Sequence, residues 1–303
     1  MELEFKPVVA GDIDRLRPFY GMRPNKTCDS VFLDSFLWKD YYHVQCAVSE
    51  GRAALWLMEK DGQVSTAMPL CREEDLPYFF QQMVDYFSGV LHKPFYISLA
   101  DEEAVQCLNL DPALFEVEEQ VDLKDYLYSG EELRKLEGKK FVKKRNHLNG
   151  FKRTYEGRYE YRRLCCSDRH EVWQFMERWR QHKEEVGAME LSLDYEVAGI
   201  HDILKNCSSL YVRMAGVYID GQLEAFTIGS LNVRENMAVI HIEKANPEIR
   251  GLYQFINQQF LINEFPEAEL VNREDDVGME GLRKAKMSYC PIGFARKYMV
   301  RER

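Results

Sequence analysis

In the first hundred residues, helical spacing of apolar side chains alternates with strand-like spacing. Apolar residues recur every three to four positions at 30–42 and at 73–90, which predicts two amphipathic helices. Between them, short apolar runs are separated by Glu50-Gly51 and Asp61-Gly62, and such pairs predict hairpins in an antiparallel sheet. A strand pattern at 93–100 follows. This part of the chain is therefore predicted to be a mixed α/β unit.

The region 129–155 has helical spacing. Ser129 is followed three residues later by Glu132, a capping-box pattern that predicts a helix start, and Gly138 is expected to divide the region into two helices. One face is apolar and consists of Leu133, Leu136, Phe141, Leu148, Phe151 and Tyr155. The opposite face is almost purely cationic, so an amphipathic helix with a basic polar face is predicted.

The second half repeats this order of elements. Helices are predicted at 170–187, 194–207, 247–265 and 278–289. Strands are predicted at 159–164, at 268–274, at 293–300 and, as three antiparallel strands, within 209–246. The repeated order predicts a duplicated α/β architecture with domains at 1–133 and 134–303, the second opening with the basic connecting helix 134–155. No linker rich in Pro, Gly or Ser separates the halves, so we expect them to pack closely.

The composition is that of an ordinary globular protein, with 46% hydrophobic and 30% charged residues. The first residues lack the pattern of a secretory signal, and no apolar run approaches the roughly 18–20 residues that span a bilayer. A cytoplasmic protein without a transmembrane segment is expected.

Cysteine and histidine patterns give no sign of metal binding. The eight Cys residues are scattered without a CxxC spacing, and the adjacent pair Cys165-Cys166 is poorly placed for a disulfide. We therefore expect reduced, mostly buried thiols. The seven His residues form no HxxxH or HExxH pattern, so no structural metal is expected.

Charge is distributed unevenly. The segment 138–153 holds seven Lys/Arg residues and no acid in a chain of formal net charge -10. Cations on one helix face can bind the phosphates of a polyanion, or they can be a solvated face that pairs with the chain's own acidic residues. Both interpretations stay open. The candidate polyanion-binding residues are Lys139, Lys140, Lys143, Lys144 and Arg145.

Two motifs resemble the family of phosphatidylglycerol lysyltransferase C-terminal domains: GKKFVKKRNHLNGF at 138–151 and VNREDDVGMEGLRKAKMSY at 271–289. FLDSFLWKDYY at 32–42 fits the same group. The hairpin at 209–231, the strand ending in IHIEKAN and the helix opening at IRGLYQ resemble the acyl-CoA N-acyltransferase (GNAT) fold. The resemblance covers most of the chain. It implies two tandem GNAT-like domains, each a mixed, mostly antiparallel sheet flanked by helices, as in Fem-type peptidyltransferases.

Members of these groups transfer an amino acid from aminoacyl-tRNA to an amine or hydroxyl acceptor on a lipid or peptide. The resemblance thus implies an aminoacyltransferase, with tRNA and an anionic lipid headgroup at the membrane surface as partners. The acyl-CoA pyrophosphate signature is reduced to Arg250-Gly251-Leu252-Tyr253, with one glycine. A CoA-dependent N-acyltransferase with acyl-CoA as donor, or a non-catalytic GNAT-like binding protein, are the alternatives. No cofactor beyond the donor substrate is implied.

The end of the predicted strand IHIEKAN is the first candidate site. Glu243 is placed to accept a proton from an attacking amine, with His241 on the same strand face. Alternatively, Glu243 pairs with Lys244 or Arg250. The free amides at the start of the next helix can bind an anion or a carbonyl oxygen, which makes candidates of Arg250, Gly251 and Tyr253.

The motif at 271–289 is the second candidate site. Carboxylates at the end of a strand can bind the ammonium group that an aminoacyl donor would present. Helix capping with local ion pairs is the alternative. The candidate substrate-binding residues here are Asn272, Glu274, Asp275, Arg283 and Lys286. The segment 182–196 resembles a substrate-pocket segment only loosely, with Glu185 and Glu190 as candidates.

Overall fold

The computed structural model describes residues 3–185 and 193–303. Within these residues, the α-helices are α1 (Ile13–Tyr20), α2 (Phe32–Leu37), α3 (Leu76–Tyr86), α4 (Glu102–Leu108), α5 (Gly130–Lys135), α6 (Val142–Thr154), α7 (Arg169–Glu185), α8 (Leu193–Asn206), α9 (Leu252–Glu264) and α10 (Glu280–Met287). The first strands are β1 (Lys6–Pro7), β2 (Gln45–Ser49), β3 (Ala53–Lys60), β4 (Gln63–Ser65), β5 (Tyr96–Asp101), β6 (Phe115–Glu119) and β7 (Asp125–Ser129). The remaining strands are β8 (Tyr159–Arg163), β9 (Arg213–Ile219), β10 (Gln222–Asn232), β11 (Met237–Ala245), β12 (Leu270–Asn272), β13 (Gly293–Ala295) and β14 (Lys297–Glu302).

The second half is built on a seven-stranded sheet in the order β13-β7-β12-β11-β10-β9-β8. Its neighbouring strands are antiparallel except for β11 and β12, which run parallel and are connected through α9. A parallel pair needs such a crossover, because its strands cannot be joined by a tight turn. Helix α9 buries Phe255, Ile256 and Phe260 against this sheet.

The first half repeats this order with smaller sheets. Strands β1-β2-β3-β4 form one sheet and β5-β14-β6 another, with α3 connecting β4 to β5. A single parallel bridge joins Thr66 to Ile97 across the gap between the two sheets. Each half therefore contains a β-hairpin, then a helix, then a strand that runs parallel to the end of the preceding sheet. This order agrees with the duplication predicted from the sequence.

The two halves exchange strands. Strand β7 lies between β12 and β13 in the large sheet, although it precedes the basic segment in sequence. Strand β14 lies between β5 and β6, although it is at the other end of the sequence. The single strand predicted at 293–300 is wrong, because β13 and β14 are separate strands in different sheets. The domain boundary between 133 and 134 stays a prediction.

An apolar core joins the halves, as the absence of a flexible linker suggested. Phe32 and Phe36 of α2 belong to the same buried cluster as Phe175 of α7, Ile200 of α8 and Phe226 of β10. All five side chains are almost fully buried. Burial of this kind is the main favourable contribution to folding, so the halves stabilise each other.

The helices predicted around the basic segment are present. Ser129 accepts a hydrogen bond from the backbone nitrogen of Glu132 at 3.3 Å and caps α5. Gly138 has a φ of +82°, a conformation that glycine adopts without strain, and it separates α5 from α6. The predicted helix 247–265 begins only at Leu252, because a turn ending in Gly251 precedes it.

The cysteine prediction is wrong at one pair. Cys166 and Cys207 form a disulfide between the turn preceding α7 and the end of α8, with Cα atoms 5.9 Å apart. The two residues are separated by 41 positions, so no local spacing pattern indicated their proximity. The other six cysteines are free, and Cys28, Cys46 and Cys71 among them are buried.

Candidate active site

A fork between β11 and β12 opens a cleft of about 730 Å³. Strand β12 pairs with β11 only over Met237–Val239, while β11 continues to Ala245 without that neighbour. The part of β11 that has left β12 but still pairs with β10, from 240 to 244, forms one wall of the cleft. The loop after β12, helix α10, the start of α9 and Lys144 of α6 form the others. A parallel strand pair that diverges thus creates a large concave site.

Glu243 lines the cleft but both of its carboxylate oxygens are engaged. Oε1 accepts a hydrogen bond from Arg273 Nη2 at 2.9 Å, and Oε2 accepts one from Asn257 Nδ2 at 2.8 Å. The ionic partner of Glu243 is thus Arg273, in place of the expected Lys244 or Arg250. The Glu243–Arg273 pair is largely buried, with 10% and 13% of the side chains exposed. Glu243 therefore holds Arg273 in the cleft, and its role as a proton acceptor stays a prediction.

His241 lies two residues before Glu243 and connects β10 to the loop after β12. Its Nδ1 lies 2.9 Å from Glu274 Oε1, and its Nε2 lies 2.8 Å from Ser230 Oγ. These partners favour the tautomer in which Nδ1 donates to the carboxylate and Nε2 accepts from the hydroxyl. Ser230 is buried and does not line the cleft. The arrangement therefore orients Glu274 and offers no accessible serine nucleophile at this position.

Asp275 is a cleft carboxylate with strongly perturbed acidity. Burial raises its pKa to about 6, and the nearby Asp125 and Glu274 carboxylates add to this effect. Lys297 acts in the opposite direction, with its Nζ 3.5 Å from Asp275 Oδ2 and 2.7 Å from Asp125 Oδ1. A carboxyl group that titrates near neutrality can exchange protons under physiological conditions.

Lys144 of α6 lines the cleft. Its Nζ lies 3.8 Å from the centroid of the Tyr289 ring and donates to Ser288 Oγ at 2.6 Å. No carboxylate among the described residues forms an ion pair with it. Burial lowers the pKa of Lys144 to about 8, and the Arg273 cation contributes to this lowering. One cation of the basic segment thus belongs to the cleft.

The other candidate polyanion-binding residues lie outside the cleft. Lys140 pairs with Glu132 at 2.7 Å, and Arg145 donates to the carbonyl oxygens of Leu136 and Gly138, which follow α5. These two cations are at least partly used within the chain. Lys139 and Lys143 are exposed. Their role in binding a polyanion stays a prediction.

The turn before α9, with Arg250 and Gly251, lies outside the cleft wall. Gly251 has a φ of +89°, and a Cβ at this position would lie 2.3 Å from the carbonyl oxygen of His147 in α6. Helix α6 therefore covers this end of α9. Arg250 is exposed, whereas Tyr253 lines the cleft, where burial raises its phenol pKa.

The loop after β12 is held by two of the remaining predicted residues. Asn272 is buried, accepts a hydrogen bond from the backbone nitrogen of Glu274 at 2.7 Å, and donates to Asp125 at 3.0 Å. Arg283 binds both oxygens of Asp276 at 2.9 Å, and this bond lowers the pKa of Asp276 to about 2. Both residues therefore support the loop from outside the cleft.

Lys286 lines the cleft and is tied to the same loop. Its Nζ donates to the backbone oxygen of Arg273 at 2.6 Å and to that of Asp275. Burial lowers the pKa of Lys286. The motif at 271–289 thus forms a rigid wall that presents Glu274 and Asp275.

Two further parts of the cleft could not be found from the sequence. Lys244 pairs with Glu196 of α8 at 2.7 Å and lies 4.0 Å from the Trp179 ring centroid. Trp38, at the end of α2, brings the first half into the cleft. Only the tertiary fold brings these separated residues together. The side chain of the candidate Glu185 and the whole of the candidate Glu190 lie outside the described part of the chain.

One group of possible metal ligands is found among the described residues. Cys28, Asp34 and Glu274 place ligand-type atoms within 4.8 Å of one another. Burial raises the pKa of the Cys28 thiol well above its usual range, and Lys297 Nζ lies 3.2 Å from its sulfur. Metal binding requires a thiolate, so this group fits a divalent metal poorly.

The architecture is that of the tandem GNAT-like fold. A family model for the C-terminal domain of phosphatidylglycerol lysyltransferase matches residues 23–301. The chain therefore belongs to this family, which confirms the resemblance of its motifs. No helix in the described part of the chain has the length and apolar character needed to cross a membrane.

Solved structures share the fold over almost their whole length. A conserved protein of unknown function from Bacteroides thetaiotaomicron is 27% identical, with full coverage of both chains and a TM-score of 0.90. The C-terminal domain of a putative lysylphosphatidylglycerol synthetase from Agrobacterium fabrum is 17% identical, covers 96% and 91% of the two chains, and has a TM-score of 0.69. FemX is 10% identical, with 98% and 96% coverage and a TM-score of 0.64.

A curated relative, an uncharacterized protein of Mycoplasmoides gallisepticum, is 28% identical over 178 residues. That match covers 58% of this chain and 56% of the relative, so it spans about half the length of the relative. The solved structures above confirm the predicted α/β, GNAT-like fold.

Proposed function

We propose that this chain transfers an amino acid from aminoacyl-tRNA to an amine or hydroxyl acceptor, with the cleft at the β11/β12 fork as the reaction site. The observation that carries this proposal is the presence in one cleft of Asp275, with a pKa of about 6, and Lys144, with a pKa of about 8. A carboxyl group with a pKa of about 6 can accept and return a proton at physiological pH, and an ammonium group with a pKa of about 8 is still mostly charged there.

The reaction requires the acceptor atom to form a bond with the ester carbonyl carbon while the bond from that carbon to the ribose oxygen breaks. Asp275 accepts the proton of the acceptor and returns it to the departing ribose oxygen. Protonated Lys144 stabilises the negative charge that develops on the carbonyl oxygen. Glu274, oriented by His241, binds the ammonium group of the donor amino acid.

Helix α6 supports a nucleic-acid donor. It contributes Lys144 to the cleft and carries exposed Lys143, with Lys139 just before its start. Phosphates bound at these exposed lysines would bring the acceptor end of a tRNA to the cleft. Helix α6 covers Gly251. The start of α9 therefore gives no comparable support for a binding site for the pyrophosphate of acyl-CoA.

The transfer itself is tested with a set of radiolabelled aminoacyl-tRNAs and a panel of amine and hydroxyl acceptors. We expect faster loss of the ester together with a new labelled amide or ester product. Asp275→Asn and Lys144→Ala should each lower the rate at least about tenfold, a typical effect of removing a positioned proton-transfer group or charge. Lys152→Ala, on the same helix but outside the cleft, is the matched control and should leave the rate unchanged. If none of the aminoacyl-tRNAs gives a product, the proposal is contradicted.

Donor binding is tested separately by the salt dependence of tRNA affinity. Removing a lysine that binds one phosphate reduces the slope of log K against log salt by about 0.7–0.9. Lys139→Ala/Lys143→Ala is therefore expected to weaken binding and reduce the slope by about 1.4–1.8. Lys6→Ala/Lys93→Ala removes two exposed lysines elsewhere and serves as the control. Equal slopes for both double variants would exclude α6 as the tRNA-binding surface.

A further inference from the structure

A second cavity of about 90 Å³ lies in the first half of the chain. It occupies the gap between the sheet of β3 and the sheet of β5, so it corresponds in topology to the fork of the second half. Trp38 lines both this cavity and the cleft. A carboxylate oxygen of Asp34, in the cavity wall, lies within 4.8 Å of one of Glu274, in the cleft wall. The two spaces therefore adjoin at Asp34 and Trp38.

Two carboxyl groups, those of Asp29 and Asp34, lie side by side at one end of the cavity. Asp34 is only 8% exposed, and its carboxyl group forms a side-chain hydrogen bond with that of Asp29. Asp29 lies beside it, and Oδ2 of Asp29 is buried without a hydrogen-bond partner. Burial and the Asp29 carboxylate raise the pKa of Asp34 well above its usual range. Buried carboxylates without donors are costly, and a bound cation would offset that cost.

The cations around this cavity are already committed. Arg23 donates to both oxygens of Asp101 at 2.6 Å. Lys297 is shared by Asp125 and Asp275, and its lowering of the Asp34 pKa is outweighed by burial. No cation among these lining or neighbouring residues is therefore left to pair with Asp29 and Asp34, and an ammonium bound there would take the place of the proton that the raised pKa of Asp34 retains.

The cavity wall also has an aromatic and apolar part. Trp38, Tyr42 and Trp56 line it together with Met58 and Met68. Aromatic faces attract an alkylammonium through cation–π interaction, and the apolar side chains accommodate its methylene groups. This combination distinguishes the cavity from a hydrated anion or metal site.

We propose that this cavity binds the primary ammonium end of a short aliphatic amine, with the nitrogen at Asp29 and Asp34 and the carbon chain against Trp38 and Trp56. Such an ammonium can belong to the acceptor or to the side chain of the donor amino acid, and the chemistry of recognition is the same for both. Assigning it to either substrate rests on the proposed function, whereas the binding itself does not.

Binding is tested with n-butylammonium chloride on the whole chain carrying 13C-methyl methionine. The expected result is a saturable shift of the Met58 and Met68 methyl signals, with little change at Met279 in the cleft, and a change in tryptophan fluorescence. For so small a ligand we expect millimolar affinity. n-Butanol and butyrate, which share the carbon chain but not the positive charge, should shift these signals at least about tenfold less effectively.

Asp34→Asn should weaken butylammonium binding about tenfold, and Asp40→Asn, which removes an exposed charge just beyond the same helix, should not. Ala67→Leu, which fills the cavity from its lining, is a second variant that keeps Asp34 in place and should also weaken binding. Equal binding of butanol or butyrate, shifts confined to Met279, or a response to Mg²⁺ or Zn²⁺ but not to the amine would each overturn the proposal.

A second arm distinguishes the two sources of the ammonium. If the acceptor carries it, Asp34→Asn raises the KM for amine acceptors and leaves the choice among aminoacyl-tRNAs unchanged. If the donor carries it, the variant loses preference for amino acids with a cationic side chain. Binding without any transfer would contradict the proposed function alone, and transfer without amine binding at Met58 and Met68 would contradict the cavity assignment alone.

Discussion

At the scale of residues, Asp275 and Lys144 give the cleft its chemical character, because each has a pKa moved toward neutrality by burial. Asp275 was a candidate from sequence because acids follow a strand there. Lys144 was a candidate only as a member of a charged helix face. Its position against Tyr289 could not be predicted, since the pattern shows which helix face is polar but not which neighbour covers it.

We predict a bell-shaped pH dependence of kcat/KM for the proposed transfer. Asp275 accepts a proton only as the carboxylate, so the rate should rise as the pH increases through about 6. Lys144 supplies positive charge only as the ammonium, so the rate should fall as the pH increases through about 8. Asp275→Asn should remove the acidic limb, and Lys144→Arg should move the alkaline limb to higher pH. An unchanged profile in both variants would exclude these two groups.

A second prediction at this scale concerns Gly251. Gly251→Ala would place a methyl group 2.3 Å from the carbonyl oxygen of His147 in a backbone with a φ of +89°, so we expect a loss of about 2–4 kcal/mol in the free energy of unfolding. Gly150→Ala on α6 meets nothing within 4 Å and should instead stabilise by up to about 1 kcal/mol. Urea denaturation measures both, and similar values would contradict the packing of α6 on α9.

At the scale of elements, the capped helix at Ser129, the break at Gly138 and the three antiparallel strands followed from local patterns. Strand β7 did not, because Tyr126, Leu127 and Tyr128 form a run of only a few residues beside a helix cap. The fork between β11 and β12 also could not be predicted, since strand pairing between distant segments leaves no periodic signal. The candidate residues could therefore be named before their arrangement was known.

The disulfide between Cys166 and Cys207 also belongs to this scale. Closing a loop of 41 residues restricts the unfolded chain, and the loop-entropy relation gives about 4 kcal/mol of stabilisation. We expect dithiothreitol to lower the urea midpoint of the wild-type chain. Cys166→Ser/Cys207→Ser should be insensitive to the reductant and resemble the reduced wild type. Identical midpoints with and without reductant would show that the bond does not stabilise the fold.

At the scale of the whole molecule, the exchange of β7 and β14 makes the halves interdependent. The seven-stranded sheet and the sheet of β5 and β6 each contain a strand from the other part of the sequence, and one apolar core spans both halves. Duplication was readable from the order of elements. The exchange was not, because an isolated strand pattern does not identify its neighbours.

We predict that residues 1–133 and 134–303 do not fold when expressed separately. The first fragment lacks β14, which lies between β5 and β6, and the second lacks β7, which lies between β12 and β13. Circular dichroism and proteolysis should show largely unfolded fragments, and coexpression should restore a protease-resistant complex. Independent folding of the second fragment would show instead that its sheet tolerates the loss of β7.

The position of β14 also bears on how the protein is made. A ribosome synthesises the chain from its N-terminus, and domains generally fold in that order. Here the sheet of β5 and β6 cannot gain its central strand until residues 297–302 have been translated. The sheet of β5 and β6 therefore stays incomplete while almost the whole chain is translated. During that time Phe95 and Ile97 lack the contact with Val300 of β14 that completes their apolar cluster. We expect nascent chains of this protein to depend on chaperones for the whole of that interval.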